Sequence, residues 1–239
     1  MRIGSTVLLH ENKCIQSYNW EYFRPLGTLQ SVINSLEEYQ CDEIAIIRPV
    51  RKKDSLDIFK KDIIELQRLK TMTPVSFGGG IRTIEHLNSL NNLPIERLIF
   101  SSAFLDENKE LIGKAKDLFG HQAIQCLLPL LRKKEELFVY HSSLSDYVPI
   151  KEINIEFINE LANEIILIDT KNEGKENKFD WSLIDDVPFD WKKIIISGGI
   201  GKSCIAEAHK KKLASVLIDN KVLHTEYSIS GLKHAIILS

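Results

Sequence analysis

The sequence has few cysteines and little net charge, and each scarcity excludes a class of protein. Its four cysteines, Cys14, Cys41, Cys126 and Cys204, lie far apart and form no C-x-x-C pair, so neither a zinc site nor a disulfide framework is predicted. The seven histidines form no short-spaced metal-binding pair either, and we expect no metal and no cofactor. Lys and Arg total 31 against 33 Asp and Glu, which gives no reason to expect nucleic acid or a membrane surface as a partner.

Long hydrophobic runs are also missing. No stretch approaches the roughly 18 consecutive apolar residues that suggest a membrane-spanning helix. The segment Met1–Leu9 lacks a basic region followed by an apolar run, so no signal peptide is expected. The sequence therefore predicts a cytoplasmic protein.

Short apolar runs alternate with amphipathic stretches of helical length along the whole chain. The runs are apolar on both faces, as buried parallel strands are. Eight of them are predicted as strands: Ile3–Leu9, Glu43–Ile47, Pro74–Phe77, Arg97–Phe100, Gln122–Leu128, Glu164–Ile168, Lys193–Ile196 and Ala214–Ile218. Strict alternation indicates an α/β fold. Eight units in 239 residues are typical of a single (β/α)₈ TIM barrel that occupies residues 1–239 as one domain.

Helices are predicted between the strands, and one polar stretch interrupts the pattern. The helices are Thr28–Tyr39, Ser55–Thr71, Thr83–Leu90, Asn108–Phe119, Asn154–Asn163, Trp181–Asp186, Lys202–Lys211 and Tyr227–Ile237. The interruption, Arg132–Asp146, follows the fifth predicted strand, where a barrel carries functional loops. It is interpreted either as such a loop or as a plain surface excursion.

An internal repeat decides between a closed barrel and an open sheet. Gly78-Gly79-Gly80-Ile81 recurs as Ser197-Gly198-Gly199-Ile200, and Asp42-Glu43-Ile44 recurs as Asn163-Glu164-Ile165. Both pairs are separated by about 120 residues, half the chain. A half-length repeat of four strand–helix units favours a closed barrel with pseudo-twofold symmetry.

Both glycine turns follow a predicted strand and precede a helix, a position suited to phosphate. Glycine lets the backbone approach an anion, and the next helix points N–H groups at it. We predict one competent phosphate cup around Gly79, Gly80, Ser101 and Ser102. The repeat places Asp219 and Asn220 beside Gly198 and Gly199, and a carboxylate there impairs the second cup. The alternative is that these glycines serve only tight turns.

The residues around these turns resemble one family. Val75–Thr83 and Ile196–Gly201 are similar to the third- and seventh-strand signatures of the cyclase subunit of imidazole glycerol phosphate synthase. Glu173-Gly174 and Glu226-Tyr227 fit the same pattern. The resemblance runs from Arg2 to Ile237, and the glycine motifs are shared with the sister sugar-phosphate isomerase. Arg2 and Glu226-Tyr227 favour the cyclase.

The resemblance implies two catalytic aspartates, which this chain does not have. The family uses them as general acid and base, one at the end of strand one and one at the end of strand five. Leu8 and Pro129 occupy these positions, and neither side chain can transfer a proton. His10, Glu11 and Asp169 are the ionisable groups nearby that could substitute.

A second set of family residues is retained. The resemblance implies four charged side chains at the barrel floor that gate ammonia from a glutaminase subunit. The matching residues are Arg2, Glu43, Arg97 and Glu164, which alternate in sign, and Glu96 matches an acidic residue that contacts the glutaminase. The alternative is a purely stabilising salt bridge inherited by barrels of this lineage, since buried charges are costly unless paired.

These observations predict a divergent cyclase-like subunit similar to those of bacterial surface-polysaccharide pathways. Such a barrel docks a glutaminase-like subunit and conducts ammonia, with a third enzyme using that ammonia on a nucleotide sugar. If the barrel still binds a phosphorylated small molecule, the first cup is the expected site. Two alternatives stay open: a working cyclase of histidine biosynthesis with relocated catalysts, and a non-catalytic barrel that binds a phosphorylated ligand.

Overall fold

The architecture comes from a computed structural model, which describes residues 1–18, 22–50, 55–219, 223 and 228–237, without the side chains of 18, 22 and 235–237. Twelve strands lie in the described part of the chain: β1 (Arg2–His10), β2 (Lys13–Tyr18), β3 (Tyr22–Gly27), β4 (Ile44–Ile47), β5 (Val75–Gly78), β6 (Arg97–Phe100), β7 (Ile124–Lys133), β8 (Glu136–His141), β9 (Asp146–Pro149), β10 (Glu164–Asp169), β11 (Ile194–Ser197) and β12 (Ser215–Ile218).

Eight of these strands form a closed parallel barrel. Their order around it is β1, β4, β5, β6, β7, β10, β11 and β12, and β12 pairs with β1 to close the ring. All eight predicted strands are present within a few residues of their expected bounds. The prediction of a (β/α)₈ barrel is confirmed.

Helices connect the barrel strands, and their first turns explain where they begin. They are α1 (Leu29–Glu38), α2 (Leu56–Gln67), α3 (Ile84–Ser89), α4 (Ser102–Leu105), α5 (Lys109–Phe119), α6 (Ile155–Leu161), α7 (Ser182–Asp185), α8 (Lys202–Lys210) and α9 (Ile229–Ile237). Five of them begin after a Thr, Ser or Asn whose side chain accepts a hydrogen bond from a first-turn N–H: Thr28, Ser55, Thr83, Asn108 and Asn154. Such caps satisfy backbone donors that the helix leaves unpaired. The short helix α4 was not predicted.

Two apolar cores hold the barrel. The larger lies between the strands and the helices and includes the fully buried Phe59, Phe77 and Phe100. The smaller fills the barrel interior with aliphatic side chains such as Ile99, Ile166 and Leu217. None of the helices in the described ranges has the length and apolar character that a bilayer crossing requires.

Two antiparallel additions extend the barrel at the carboxyl ends of its strands. β2 and β3 form a hairpin that pairs with β1. β8 and β9 continue from β7 as an antiparallel meander. The segment Arg132–Asp146, which was interpreted as a functional loop or a plain surface excursion, therefore contains a strand that was not predicted. Leu137, Val139 and His141 alternate inward along β8, the period-two pattern of a strand with one buried face.

Candidate functional site

Four charged side chains meet at the amino ends of the barrel strands, here called the floor. Arg2 Nε lies 2.9 Å from a Glu43 carboxylate oxygen, and Arg2 Nη2 lies 2.5 Å from Glu164. Arg97 completes the ring from the other side, at 3.5 Å from Glu43 and 4.0 Å from Glu164. The structure thus brings the four predicted residues, here called the floor ring, into one closed circuit of alternating sign.

The two carboxylates of the floor ring are held more tightly than the arginines. Glu43 is 3% exposed and also accepts a hydrogen bond from Ser215 Oγ, while Gln125 Nε2 donates to Glu164 at 2.9 Å. Burial by itself lowers the pKa of Arg2, but the charges of and hydrogen bonds to Glu43 and Glu164 outweigh it and raise the pKa above its usual value. The two carboxylates therefore stabilise the Arg2 cation in its partly buried position.

Glu96 lies beside the floor ring at the start of β6 and is exposed to solvent. One of its carboxylate oxygens accepts a hydrogen bond from the Val75 N–H at 2.5 Å, and its own N–H donates to the Val75 carbonyl. This hydrogen bond fixes the Glu96 side chain at the barrel edge and occupies one of its two carboxylate oxygens. Its predicted contact with a glutaminase stays a prediction.

A cavity of about 110 Å³ opens at the carboxyl ends of the strands, here called the mouth. Leu8 and Pro129 both line it, from β1 and β7. The two positions expected to carry proton-transfer groups therefore do face the cavity, and both present hydrocarbon to it. Ile47, Ile99 and Leu127 extend this apolar surface.

The first glycine turn, Gly79 and Gly80, lies on the mouth together with Ser101 and Ser102. Gly79 has φ of +96° and Gly80 of +83°, a region that only glycine enters freely. A Cβ on Gly79 would lie 2.1 Å from the Arg48 carbonyl oxygen, so this glycine is also needed for packing. The buried Ser101 Oγ has no hydrogen-bond partner among the described residues.

The second glycine turn, Gly198 and Gly199, is covered. Gly198 still lines the mouth, but the Gly199 carbonyl accepts hydrogen bonds from the N–H groups of Lys178 and Phe179 at 2.9 and 3.3 Å. The loop after β10 therefore lies against this turn. Asp219 lines the mouth as expected, whereas Asn220 and Glu226-Tyr227 lie outside the described residues.

Asp169, a suggested replacement catalyst, instead holds that covering loop in place. It is 2% exposed, and its carboxylate accepts hydrogen bonds from the Asn172 N–H, the Asn172 side chain and the Asp180 N–H at 3.2, 2.8 and 2.9 Å. His10 and Glu11 lie exposed at the end of β1 and in the following turn. None of the three lines the mouth.

Arg48 is a mouth residue that the sequence analysis missed. It follows β4, is 2% exposed, and its guanidinium lies 2.7 Å from Asp62 on α2 and 3.0 Å from the Gly79 carbonyl. Its guanidinium carbon lies 4.9 Å from the centre of the Phe59 ring. A signal did exist, because Arg48 stands at the same distance after Glu43 as Asp169 does after Glu164.

Polar groups from three other segments complete the mouth. Tyr140 and Ser142 reach it from β8 and the turn that follows. Glu173 lines it from the loop after β10 and accepts a hydrogen bond from Ser17 Oγ on β2 at 2.9 Å. Glu173 and Asp219 are the carboxylates that line it within the described part of the chain. Asp219 was expected beside the second glycine turn and Glu173 was matched to a family motif, but neither was predicted to transfer protons.

Comparison with known proteins identifies the lineage of this barrel. The model of a family described as histidine biosynthesis protein matches residues 2–228. The chain belongs to this family. The sequence-based resemblance to the cyclase subunit is confirmed by the relatives named below.

Three relatives cover most of the chain at low identity. "Putative imidazole glycerol phosphate synthase subunit hisF2" of Campylobacter jejuni is 28% identical over 84% of this chain and 80% of its own length. The imidazole glycerol phosphate synthase subunit HisF of Exiguobacterium sp. is 24% identical over 92% and 89%. That of Leptospira biflexa is 27% identical over 82% and 79%.

Proposed function

We propose that this chain is a cyclase-like barrel subunit of a glutamine amidotransferase complex. As one barrel domain, residues 1–239, it docks a glutaminase subunit on its floor and conducts ammonia to the mouth. It does not itself make imidazole glycerol phosphate. One contrast carries the proposal: the floor ring is complete, while Leu8 and Pro129 leave no proton-transfer group at the two strand ends where the family has its catalytic aspartates.

The floor ring supports the ammonia role through its charge arrangement. Two cations and two carboxylates around a barrel axis neutralise each other, which offsets the cost of removing them from water. The Arg97 contacts, at 3.5 and 4.0 Å, are longer than those of Arg2. A small neutral molecule such as ammonia can pass through the ring if one of these Arg97 ion pairs separates. The glutaminase docks on the exposed rim around Glu96.

The mouth supports the loss of cyclase activity. General acid–base catalysis contributes typically about 10² to 10⁴-fold to a rate, and Leu and Pro supply none of it. The ammonia delivered there goes to a third enzyme, which we propose amidates a nucleotide sugar in surface-polysaccharide synthesis. A phosphorylated small molecule at the first glycine turn, beside Ser101 and Ser102, is the ligand that the mouth retains.

A histidine auxotroph lacking its cyclase subunit tests the proposal in cells. Expression of this chain should give no growth without histidine, while the Exiguobacterium relative serves as the positive control. In parallel, light scattering on this chain mixed with the glutaminase subunit of its own organism should detect a complex. Growth of the auxotroph, or the absence of a complex at micromolar concentrations of both proteins, contradicts the proposal.

A second candidate function is favoured by the two mouth carboxylates. If Glu173 and Asp219 exchange protons with a substrate, the barrel is a working cyclase with relocated catalysts. Glu173→Gln and Asp219→Asn then abolish synthesis of imidazole glycerol phosphate. Under the leading proposal the unmodified chain makes none of this product in a direct assay with the cyclase substrate and ammonium salt.

A further inference from the structure

The two sides of the mouth differ in their polar groups. On one side, after β5 and β6, lie the N–H groups of the first glycine turn and the hydroxyls of Ser101 and Ser102, next to Arg48, whose charge is balanced by Asp62. Glu173 and Asp219 lie after β10 and β12, across the barrel from them. A ligand that fills the cavity therefore meets hydrogen-bond donors at one end and carboxylates at the other.

The cavity between these ends is apolar and is bordered by aromatic rings. Leu8, Ile47, Leu127 and Pro129 face it from the barrel interior, and Phe23 and Tyr140 border it from the two antiparallel additions. Low-dielectric walls strengthen the interaction of a ligand charge with the groups at each end. A ligand that accepts hydrogen bonds at one end and carries a cationic group at the other matches this arrangement.

The second glycine turn is less suited to a phosphate than the first. The Gly199 carbonyl is bonded to Lys178 and Phe179, and a Cβ on Gly199 would lie 2.9 Å from the Phe179 nitrogen. Asp169 fixes the covering loop through Asn172 and Asp180. A second phosphate at this turn would also approach the Asp219 carboxylate, which lines the same cavity.

We propose that the mouth binds a phosphomonoester that carries a primary ammonium group, with the phosphate at the first glycine turn and the ammonium facing Glu173 and Asp219. The buried Ser101 Oγ, which lacks a hydrogen-bond partner among the described residues, donates to the phosphate. Ser17 orients the Glu173 carboxylate toward its position on the mouth. This inference rests on the proposed phosphate site and adds the chemical class of its ligand.

Calorimetric titration with three sugar phosphates tests the inference. Glucosamine 6-phosphate and glucose 6-phosphate differ by one group, an ammonium against a hydroxyl, and fructose 1,6-bisphosphate adds a second phosphate. We expect glucosamine 6-phosphate to bind about tenfold more tightly than glucose 6-phosphate, because a hydrogen-bonded ion pair replaces a hydrogen bond from a neutral hydroxyl to a carboxylate. The bisphosphate should bind more weakly than either. Equal affinity for the first two, or tightest binding of the bisphosphate, overturns the inference.

Two variants show which carboxylate is responsible. Glu173→Gln should remove the preference for glucosamine 6-phosphate and leave affinity for glucose 6-phosphate within about twofold. Glu176→Gln is the matched control, since Glu176 is an exposed carboxylate on the same loop, and it should keep the preference. A preference that survives both Glu173→Gln and Asp219→Asn, in proteins whose thermal melting is unchanged, overturns the inference.

The outcome can be separated from that of the proposed function. If the chain forms its complex with the glutaminase but shows no preference for the amino sugar phosphate, only the ligand class is wrong. If none of the three sugar phosphates binds, both the ligand class and the proposed phosphate site are wrong. The light-scattering result still decides the amidotransferase role.

Discussion

Arg48 and Asp169 occupy equivalent positions in the two halves of the barrel and carry opposite charges. Each is the fifth residue after a floor-ring carboxylate, Glu43 or Glu164. The backbone of each residue also packs closely against a glycine turn. A Cβ on Gly79 would lie 2.1 Å from the Arg48 carbonyl oxygen, and a Cβ on Gly198 would lie 2.4 Å from the Asp169 carbonyl oxygen. The repeat thus preserves the backbone contact while the side chains diverge: Arg48 pairs with Asp62 on α2, and Asp169 binds the loop after β10.

The Arg48–Asp62 pair should be a large local contribution to stability. Both side chains are 2% exposed and 2.7 Å apart. Asp62→Asn leaves a buried guanidinium without its counter-charge, which typically costs about 3 to 5 kcal/mol. Urea denaturation measures the change. Lys60→Gln is the control, because it breaks only the exposed Lys60–Glu85 pair and should cost under about 1 kcal/mol. Similar losses for the two variants would contradict this account.

The Asp169 carboxylate should control the loop that covers the second glycine turn. Asp169→Asn turns one acceptor oxygen into a donor and weakens the hydrogen bonds from Asn172 and Asp180. We expect a loss of about 1 to 3 kcal/mol and faster amide hydrogen exchange at Lys178 and Phe179, measured by mass spectrometry. Asp190→Asn, which alters an exposed turn cap, should leave exchange in that loop unchanged. Unaltered exchange in Asp169→Asn would refute the covering role.

Ser101 should contribute to phosphate affinity and not to the stability of the fold. Its buried hydroxyl has no hydrogen-bond partner within the described ranges, so Ser101→Ala should change the free energy of unfolding by no more than about 0.5 kcal/mol. Affinity for inorganic phosphate should fall about tenfold, since a hydrogen bond to a charged group is lost. Phosphate titration by calorimetry measures this. Ser89→Ala, on the exposed face of α3, is the control. Unchanged phosphate affinity in Ser101→Ala would remove it from the site.

The four cysteines should be unreactive in the folded protein. All are buried, and burial raises the pKa of Cys14 and of Cys41 to about 12. Ellman's reagent at pH 8 should label none of them until urea unfolds the chain. Because the folded state holds the Cys14 and Cys41 protons more tightly, the contribution of these two thiols to stability is complete below the ordinary thiol pKa and is lost as pH rises from about 9 to 12. Labelling of the native protein at pH 8 would contradict their burial.

The barrel could be predicted from sequence because local patterns mark its elements, and the floor ring was implied by the family resemblance. Apolar runs such as Ile44–Ile47 and capping residues such as Thr28 mark elements directly. The half-chain repeat then aligns Glu43 with Glu164 and brings distant residues to equivalent positions. The same alignment assigned Leu8 and Pro129 to equivalent strand ends, and both residues line the mouth.

The parts that escaped prediction depend on contacts between distant segments. Arg48 was not recognised because its partner, Asp62, lies on a helix whose other residues read as an ordinary amphipathic pattern. The β8–β9 meander was missed because its polar composition masked a period-two alternation. The cover over Gly199 comes from hydrogen bonds of Lys178 and Phe179, which no sequence pattern displays.

The rate of glutamine hydrolysis by the glutaminase subunit tests the central claim most directly. Glutamate release is measured with and without saturating amounts of this chain, and with a Glu96→Arg variant that reverses one charge on the proposed docking rim. We predict a rise on the order of tenfold or more with the unmodified chain, and a smaller rise with the variant. A rate that stays at the level of the isolated glutaminase, although the two proteins form a complex, would contradict the account.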